Sequence, residues 1–201
     1  MKNVPLPPIG TGNTALVIHD MQNDFIGESL ATKPEMKDVV TRVRALIDTA
    51  HSLSMPVIYT RVESDPALDF PPGRAKYLRW AEGEVCVKGT PGAEIVGELK
   101  PGPYDFVITK FRSSAFQDTR MEALLRVKGV WVLVVVGGST NWGVEWLARD
   151  AKSRDILPIV VGDCTYSRTD EAQQASLANI DNFIGHVITW DGVMKLLTKG
   201  K

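Results

Sequence analysis

Two charged residues and one short turn in this sequence could act together in catalysis. Asp20 follows the apolar residues 15–18 and Lys110 follows the apolar residues 106–109, so each side chain lies at the end of a predicted buried strand. A buried carboxylate is costly to ionise without a partner, and a buried ammonium either loses its proton or pairs with a carboxylate. We therefore expect Asp20 and Lys110 to meet as a proton-transferring pair.

A turn rich in glycine and hydroxyl residues covers residues 137–143, between the apolar residues 130–136 and a predicted helix over residues 141–153. Backbone N–H groups at the start of that helix would form a site for an anion or an oxyanion. Thr140 or Asn141 is expected to cap the helix. The candidates for substrate binding in this turn are Ser139, Thr140, Asn141 and Trp142.

The elements that carry these residues alternate between strands and helices. Apolar, β-branched runs recur at residues 15–18, 57–59, 106–109, 130–136, 158–161 and 187–189, with helical patterns between them. Because the strands are apolar throughout, we predict a three-layer α/β/α Rossmann-like sandwich with a six-stranded, mostly parallel sheet. Ligands bind beyond the carboxyl ends of such strands, where Asp20, Arg61, Lys110 and the turn would lie.

Composition limits the classes of function. A length of 201 residues with 44% hydrophobic content predicts a single domain over residues 1–201. The net charge of -1, without a run of like charge, favours a small-molecule substrate over a nucleic-acid or membrane partner. The longest apolar stretch is far shorter than the roughly 20 residues that cross a bilayer, and no signal-peptide pattern precedes it, so we expect a cytoplasmic protein.

Cysteines and histidines are dispersed along the chain. Cys86 and Cys164 lie far apart, and His19, His51 and His186 lie on separate predicted elements. This spacing predicts neither a disulfide nor a zinc site, so we expect no metal and no other cofactor.

Residues 63–102 interrupt the alternation of strands and helices. The region is long, contains several prolines and glycines, and carries Trp80, which we expect to contact the substrate. A loop of this length indicates a lid or a subunit contact, although a surface excursion is equally compatible. The candidate groups for binding a carboxylate are the guanidinium groups of Arg61, Arg74, Arg79 and Arg112.

Three motifs resemble those of the isochorismatase-like hydrolases over nearly the whole chain. They are Asp-x-Gln-x-x-Phe from Asp20 to Phe25, Lys-x-x-x-Ser-Ala-Phe starting at Lys110, and the turn that contains Gly143. The resemblance implies that Asp20 and Lys110 are catalytic, that Phe25 borders the substrate, and that a cis peptide precedes Ser139. It also implies a homodimer or homotetramer and a hydrolase that needs no cofactor.

Gly143 stands where most members of this superfamily have the nucleophilic cysteine of an Asp-Lys-Cys triad. Either the substrate occupies the space that a side chain would fill, or a cysteine has been replaced. The first reading predicts a hydrolase of a small carboxylate- or amide-bearing metabolite that uses water as its nucleophile. The second predicts an amidase fold that binds an amide or ureido compound without turning it over. A non-enzymatic binding protein is the third alternative.

The metal site of some superfamily members is not expected here. Those members bind a metal through an Asp-x-His pair and a further histidine after the second strand, whereas residues 59–65 contain no histidine. The resemblance therefore makes nicotinamide an improbable substrate.

Overall fold

A computed structural model of the protein describes residues 5–65 and 85–198. Its centre is a six-stranded sheet in which all five strand pairs are parallel. The strands are β1 (Thr14–His19), β2 (Val57–Val62), β3 (Phe106–Lys110), β4 (Val132–Gly138), β5 (Leu157–Tyr166) and β6 (His186–Ile188). Their order across the sheet is β3-β2-β1-β4-β5-β6, which confirms the predicted fold class.

Within residues 5–65 and 85–198, six α-helices connect and cover these strands. They are α1 (Glu28–Thr32), α2 (Pro34–Ser52), α3 (Met121–Val127), α4 (Glu145–Lys152), α5 (Asp170–Asn179) and α6 (Trp190–Thr198). Three π-helical turns (Asn23–Gly27, Thr140–Val144 and Ile180–Ile184) and two 3₁₀ turns (Pro91–Ala93 and Gly97–Leu99) complete the described elements.

Two hydrophobic cores lie on opposite faces of the sheet. In β1, Leu16 and Ile18 belong to one core, together with α2 and α6, whereas Ala15 and Val17 belong to the other, together with α3 and α4. A strand that is buried on both faces needs apolar residues at every position, because successive side chains point to opposite faces. This requirement explains the continuous apolar runs of the sequence.

The helix predicted over residues 141–153 differs from the observed one. The chain first forms the π-helical turn Thr140–Val144, and α4 begins only at Glu145. The predicted caps are wrong: Ser139 occupies the capping position, and no side chain caps the turn. The hydroxyl of Thr140 instead donates to the carbonyl of Tyr166 on β5, at 3.0 Å.

The predicted lid over residues 63–102 is described only in part. Arg74, Arg79 and Trp80 lie outside the described residues. Where the description of the chain resumes, Val87 forms an isolated parallel bridge with Ser64, just beyond the end of β2. Within the described ranges, no helix combines the length and the apolar character that a membrane span requires.

Candidate active site

The order in which the chain adds strands to the sheet reverses between β1 and β4. Strands β2 and β3 extend it on one side of β1, whereas β5 and β6 extend it on the far side of β4. Crevices form at the carboxyl ends of strands at such switch points. A cavity of about 960 Å³ opens here, and Asp20, Lys110 and Gly143 all line it.

Asp20 and Lys110 form a buried ion pair. The Lys110 Nζ lies 2.7 Å from Asp20 Oδ2 and 3.3 Å from the carbonyl oxygen of Arg112. Lys110 is 1% exposed and Asp20 is 5% exposed, so solvent screens the pair only weakly. Asp20 also adopts a φ of 50°, a left-handed conformation that is uncommon for residues other than glycine. The predicted acid–base pair is thus in contact.

His19 and Thr60 complete the surroundings of the Asp20 carboxylate. The Thr60 hydroxyl donates to Asp20 Oδ1 at 2.8 Å and lies 2.8 Å from His19 Nδ1. Since a hydroxyl has one hydrogen to donate, His19 Nδ1 must carry the proton that Thr60 accepts. His19 Nε2 is then an unprotonated acceptor, 3.4 Å from Asp20 Oδ2 and without a hydrogen-bond partner among the described residues.

Electrostatics favour an ionised Asp20 beside a neutral His19. Burial raises the pKa of Asp20, but His19 and Lys110, with hydrogen bonds from Lys110 and Thr60, outweigh burial and hold the pKa below its usual range. Burial lowers the pKa of His19 to about 4, against the opposing effect of Asp20. At neutral pH the resting site therefore presents a carboxylate, which is ready to accept a proton rather than to donate one.

The space beside Gly143 is occupied by the His19 ring. A Cβ on residue 143 would lie 2.9 Å from His19 Cδ2 and closer still to Nε2, which is nearer than real Cβ atoms approach other atoms. The sequence suggested that either substrate or a lost cysteine accounts for this glycine. The structure adds a third account, because the chain's own histidine takes the volume of the side chain.

Most of the residues predicted from the turn reach the cavity. Ser139, Asn141, Trp142 and Gly143 line it, as does Phe25 from the turn after β1. The peptide between Gly138 and Ser139 is cis, as the resemblance implied. Thr140 is fully buried and does not line the cavity.

Of the four predicted arginines, Arg61 and Arg112 do not line the cavity, whereas Arg74 and Arg79 lie outside the described residues. The Arg61 guanidinium lies 3.1 Å from a carboxylate oxygen of Glu63 and 3.7 Å from one of Glu94. Arg112 donates to the carbonyl of Phe111 at 2.7 Å, and its own carbonyl accepts from Lys110. Trp80 belongs to the part of the chain outside the described residues. Arg61 and Arg112 thus contact other protein groups around the site, and neither belongs to the lining of the cavity.

Other motif residues hold the catalytic elements in place. The buried Gln22 amide donates to the carbonyls of Val62 and Ala93 and accepts from the Val62 N–H. The Ser114 hydroxyl donates to Asp150 Oδ2 at 2.6 Å, which ties the loop after Lys110 to α4. These contacts fasten the end of β1 to the end of β2, and the loop after β3 to α4.

Sequence reasoning missed four residues of the site: His19, Thr60, Tyr166 and Arg168. His19 offered one signal, since it is a polar residue at the end of an otherwise apolar strand. Thr60 faces it only because β1 and β2 pair in a register that places the two opposite each other. Tyr166 and Arg168 line the cavity from the end of β5. Among the described residues, no cluster of three potential metal-ligating side chains occurs.

Comparison with known proteins defines the class to which this fold and site belong. An isochorismatase domain model matches residues 14–192. The chain therefore belongs to the isochorismatase family, and it is a hydrolase of that superfamily.

Three relatives illustrate the similarity. The chain is 32% identical to the ureidoacrylate amidohydrolase RutB of Pseudomonas savastanoi pv. phaseolicola, over 90% of this chain and 82% of that protein. The crystal structure of N-carbamoylsarcosine amidase from Thermoplasma acidophilum matches with a TM-score of 0.73 and 30% identity, over 89% of this chain and 97% of the other. A cysteine hydrolase from Pseudomonas syringae pv. phaseolicola shares the fold, with a TM-score of 0.87 and 24% identity over 99% and 100% of the two chains.

Proposed function

We propose that the protein hydrolyses a small amide or ureido compound that carries a carboxylate, with water as the nucleophile and Asp20 as the proton-transfer group. The observation that carries this proposal is the buried Asp20–Lys110 ion pair in a cavity where His19 fills the place of a side chain at position 143. No metal or other cofactor is required.

Asp20 would act first as a general base. It would take a proton from a water molecule as the water oxygen forms a bond to the substrate carbonyl carbon, and the carbonyl electron pair would move onto its oxygen. When that intermediate collapses, the bond between carbon and nitrogen breaks and Asp20 returns the proton to the leaving nitrogen. Lys110 would stabilise the carboxylate at the start and at the end of this cycle.

Backbone amides would stabilise the negative oxygen of the intermediate. Two N–H groups of the turn are already engaged: Asn141 donates to the hydroxyl of Ser167 and Trp142 donates to the carbonyl of Ser139. The candidate donors are the amides of Ser139 and Gly143, residues that both line the cavity. Each such donor contributes about 10²–10³-fold to the rate in comparable sites.

Arg168 is the proposed contact for the substrate carboxylate. It lines the cavity at its exposed rim, and no carboxylate of the described residues forms an ion pair with it. Both amidohydrolases named above act, by their names, on compounds that combine a ureido or carbamoyl group with a carboxylic acid. The cavity wall also carries Asp24, Glu35 and Asp170, so an anion is expected to bind close to the exposed cations of the lining, Arg168 and Lys33.

Two alternatives receive less support. The first is a hydrolysis that starts by protonating a vinyl ether, for which Asp20 would have to be protonated. The groups around Asp20 hold the pKa of its carboxyl low, so it is ionised instead. A binding protein that has lost a cysteine would leave an empty space at position 143, whereas His19 occupies that space.

Turnover of a substrate panel tests the proposal. The panel contains ureido acids, N-carbamoyl amino acids, amides of dicarboxylic acids and vinyl ethers, with ammonia release and proton NMR as readouts. We expect the wild type to hydrolyse a ureido or amide acid and Asp20→Asn to lose at least about 100-fold in kcat/KM. The exposed Asp48→Asn exchange on α2 is the matched control and should keep full activity. Retained activity in Asp20→Asn would remove the proposal.

A single turnover in ¹⁸O-labelled water tests the nucleophile. Direct attack by water places one solvent oxygen in the product during the first turnover. Attack by the Asp20 carboxylate would instead expel the nitrogen and form an anhydride with the substrate acyl group. Water that opens this anhydride at the Asp20 carbonyl carbon would leave the label in the protein, which intact-mass analysis would detect, and would release the product with an unlabelled oxygen from Asp20. That second result would contradict the role of Asp20 as a base.

A further inference from the structure

We propose that His19 determines which nucleophile this site can use: by filling the space of a side chain at position 143, it reserves the attack for water. The inference deepens the proposed function and rests on it. Its structural basis can be tested without a substrate, so the two can fail separately.

The ring of His19 and the backbone of Gly143 are in direct contact. An ideal Cβ on Gly143 would lie 2.9 Å from Cδ2 of the ring, and Nε2 would be closer still. Gly143 itself is buried in the π-helical turn Thr140–Val144. Any side chain at position 143, a thiol included, would therefore have to displace the His19 ring or the turn.

The ring cannot move aside cheaply. His19 is fully buried at the end of β1, and its backbone pairs with Thr60 on β2 and with Gly137 on β4. Its Nδ1 lies 2.8 Å from the Thr60 hydroxyl, which in turn donates to Asp20. Turning the ring would break this chain of hydrogen bonds inside a packed interior, where a lost bond leaves a buried polar group unsatisfied.

A neutral imidazole ring is also compatible with proton transfer by the neighbouring Asp20. The charged groups facing it are the Asp20 carboxylate, 3.4 Å from Nε2, and the Lys110 ammonium that binds the same oxygen. A neutral imidazole adds no charge to this pair. Nε2 is an acceptor without a partner among the described residues. When Asp20 Oδ2 carries the proton taken from water, Nε2 could accept a hydrogen bond from it.

A double-mutant cycle between positions 19 and 143 tests the contact. Gly143→Ala adds only the Cβ. His19→Asn keeps a donor at the place of Nδ1 and an oxygen at the place of Cδ2, and it removes Cε1 and Nε2, the ring atom closest to the added Cβ. We expect Gly143→Ala to lower Tm by about 3–10 °C in the wild-type background, as overpacking does in cores. In the His19→Asn background the drop should be less than half as large.

His51→Asn provides the matched control, because His51 lies exposed on α2 and pairs with Asp105 at 2.7 Å. In that background the drop caused by Gly143→Ala should be unchanged. If Gly143→Ala does not fold in the wild-type background, folded protein should be recovered with His19→Asn. Equal drops with and without His19, or failure of the double variant while His19→Asn folds, would overturn the proposal.

Restoring a thiol gives a second readout. In the His19→Asn, Gly143→Cys variant we expect one added cysteine that iodoacetamide modifies in the folded protein, detected as one equivalent by intact mass. Cys86 and Cys164 provide the unreactive background, since burial raises the pKa of each thiol to about 12. A stable Gly143→Cys single variant with an equally reactive thiol would show that His19 excludes nothing, and the inference would fall.

Discussion

Lys110 is the residue on which the charge of Asp20 depends. Its ammonium contacts Asp20 Oδ2 in an interior where a lone carboxylate is poorly solvated. We predict that Lys110→Met, which keeps the apolar stem and removes the cation, lowers the free energy of unfolding by about 3–5 kcal/mol and abolishes turnover. Urea denaturation and the substrate panel measure the two effects.

The double variant Asp20→Asn, Lys110→Met separates charge from packing. Because it buries no unpaired charge, it should be more stable than Lys110→Met alone. Lys88→Met, which breaks an exposed pair with Asp65, is the control and should leave stability nearly unchanged. If the double variant is as unstable as the single one, the loss comes from packing and the ion pair has been misread.

Arg168 affects binding more than chemistry if it holds the substrate carboxylate. We predict that Arg168→Gln raises KM about tenfold and leaves kcat within a factor of two or three, because the contact exists in the ground state and in the transition state alike. Arg44→Gln, which removes a partly exposed arginine paired with Asp48 on α2, away from the cavity, is the control. A fall in kcat at constant KM would place Arg168 in the chemical step instead.

Only part of the site could be predicted from residue types. Asp20 and Lys110 were predictable because each charge lies at the carboxyl end of an apolar run, and parallel strands end at the same edge of a sheet. His19 and Thr60 were not, since their meeting depends on the register between β1 and β2. The role of Gly143 also required coordinates. A glycine in the sequence indicates that a side chain has little room at that position, but it does not identify the neighbouring group, here the His19 ring.

At the scale of elements, the loop after β3 is fastened to α4. The Ser114 hydroxyl accepts from the N–H groups of Phe116 and Gln117 and donates to Asp150 Oδ2. We predict that Asp150→Ala lowers the free energy of unfolding by about 1–3 kcal/mol, the cost of a lost hydrogen bond to a charged group. It should also lower kcat, because the loop that follows Lys110 loosens.

Thermal denaturation of three variants tests this connection. Asp150→Ala and Ser114→Ala should be less than additive when combined, because they remove the same hydrogen bond. Asp38→Ala on the exposed face of α2 is the control and should change Tm little. Full additivity would mean that the two side chains stabilise the protein independently.

The strands were more predictable than the helix that follows β4. Each of the six apolar runs became a strand, with ends shifted by up to five residues, because burial on both faces leaves a continuous apolar signal. The start of the helix over residues 141–153 was misplaced. A π-helical turn at Thr140–Val144 has no distinct sequence pattern, and its position follows from contacts with β5 and α5, such as the bond from Ser176 Oγ to the Thr140 carbonyl.

For the whole molecule, the buried neutral His19 should make stability fall in mild acid. In an unfolded chain a histidine has a pKa of 6.5, whereas burial lowers the pKa of His19 to about 4 in the folded protein. Between these values the unfolded chain binds a proton that the folded protein does not bind, so a fall in pH favours unfolding. The contribution is fully present above pH 6.5 and is lost as the pH falls towards 4.

The gap between the two pKa values corresponds to roughly 3 kcal/mol of stability. We predict that the free energy of unfolding of the wild type, measured with urea from pH 7.5 to pH 4.5, falls more steeply than that of His19→Asn, which has no group to protonate at this position. In the wild type Asp20 contributes little above pH 4, because its pKa is held below its usual value of 3.8 and its stabilising effect is lost only at lower pH. The difference between the two profiles therefore reports His19 together with the loss of its lowering effect on the pKa of Asp20 in the variant. Parallel profiles would mean that the ring takes up its proton without unfolding, and the resting site would then have to be described with a cationic imidazole beside Asp20.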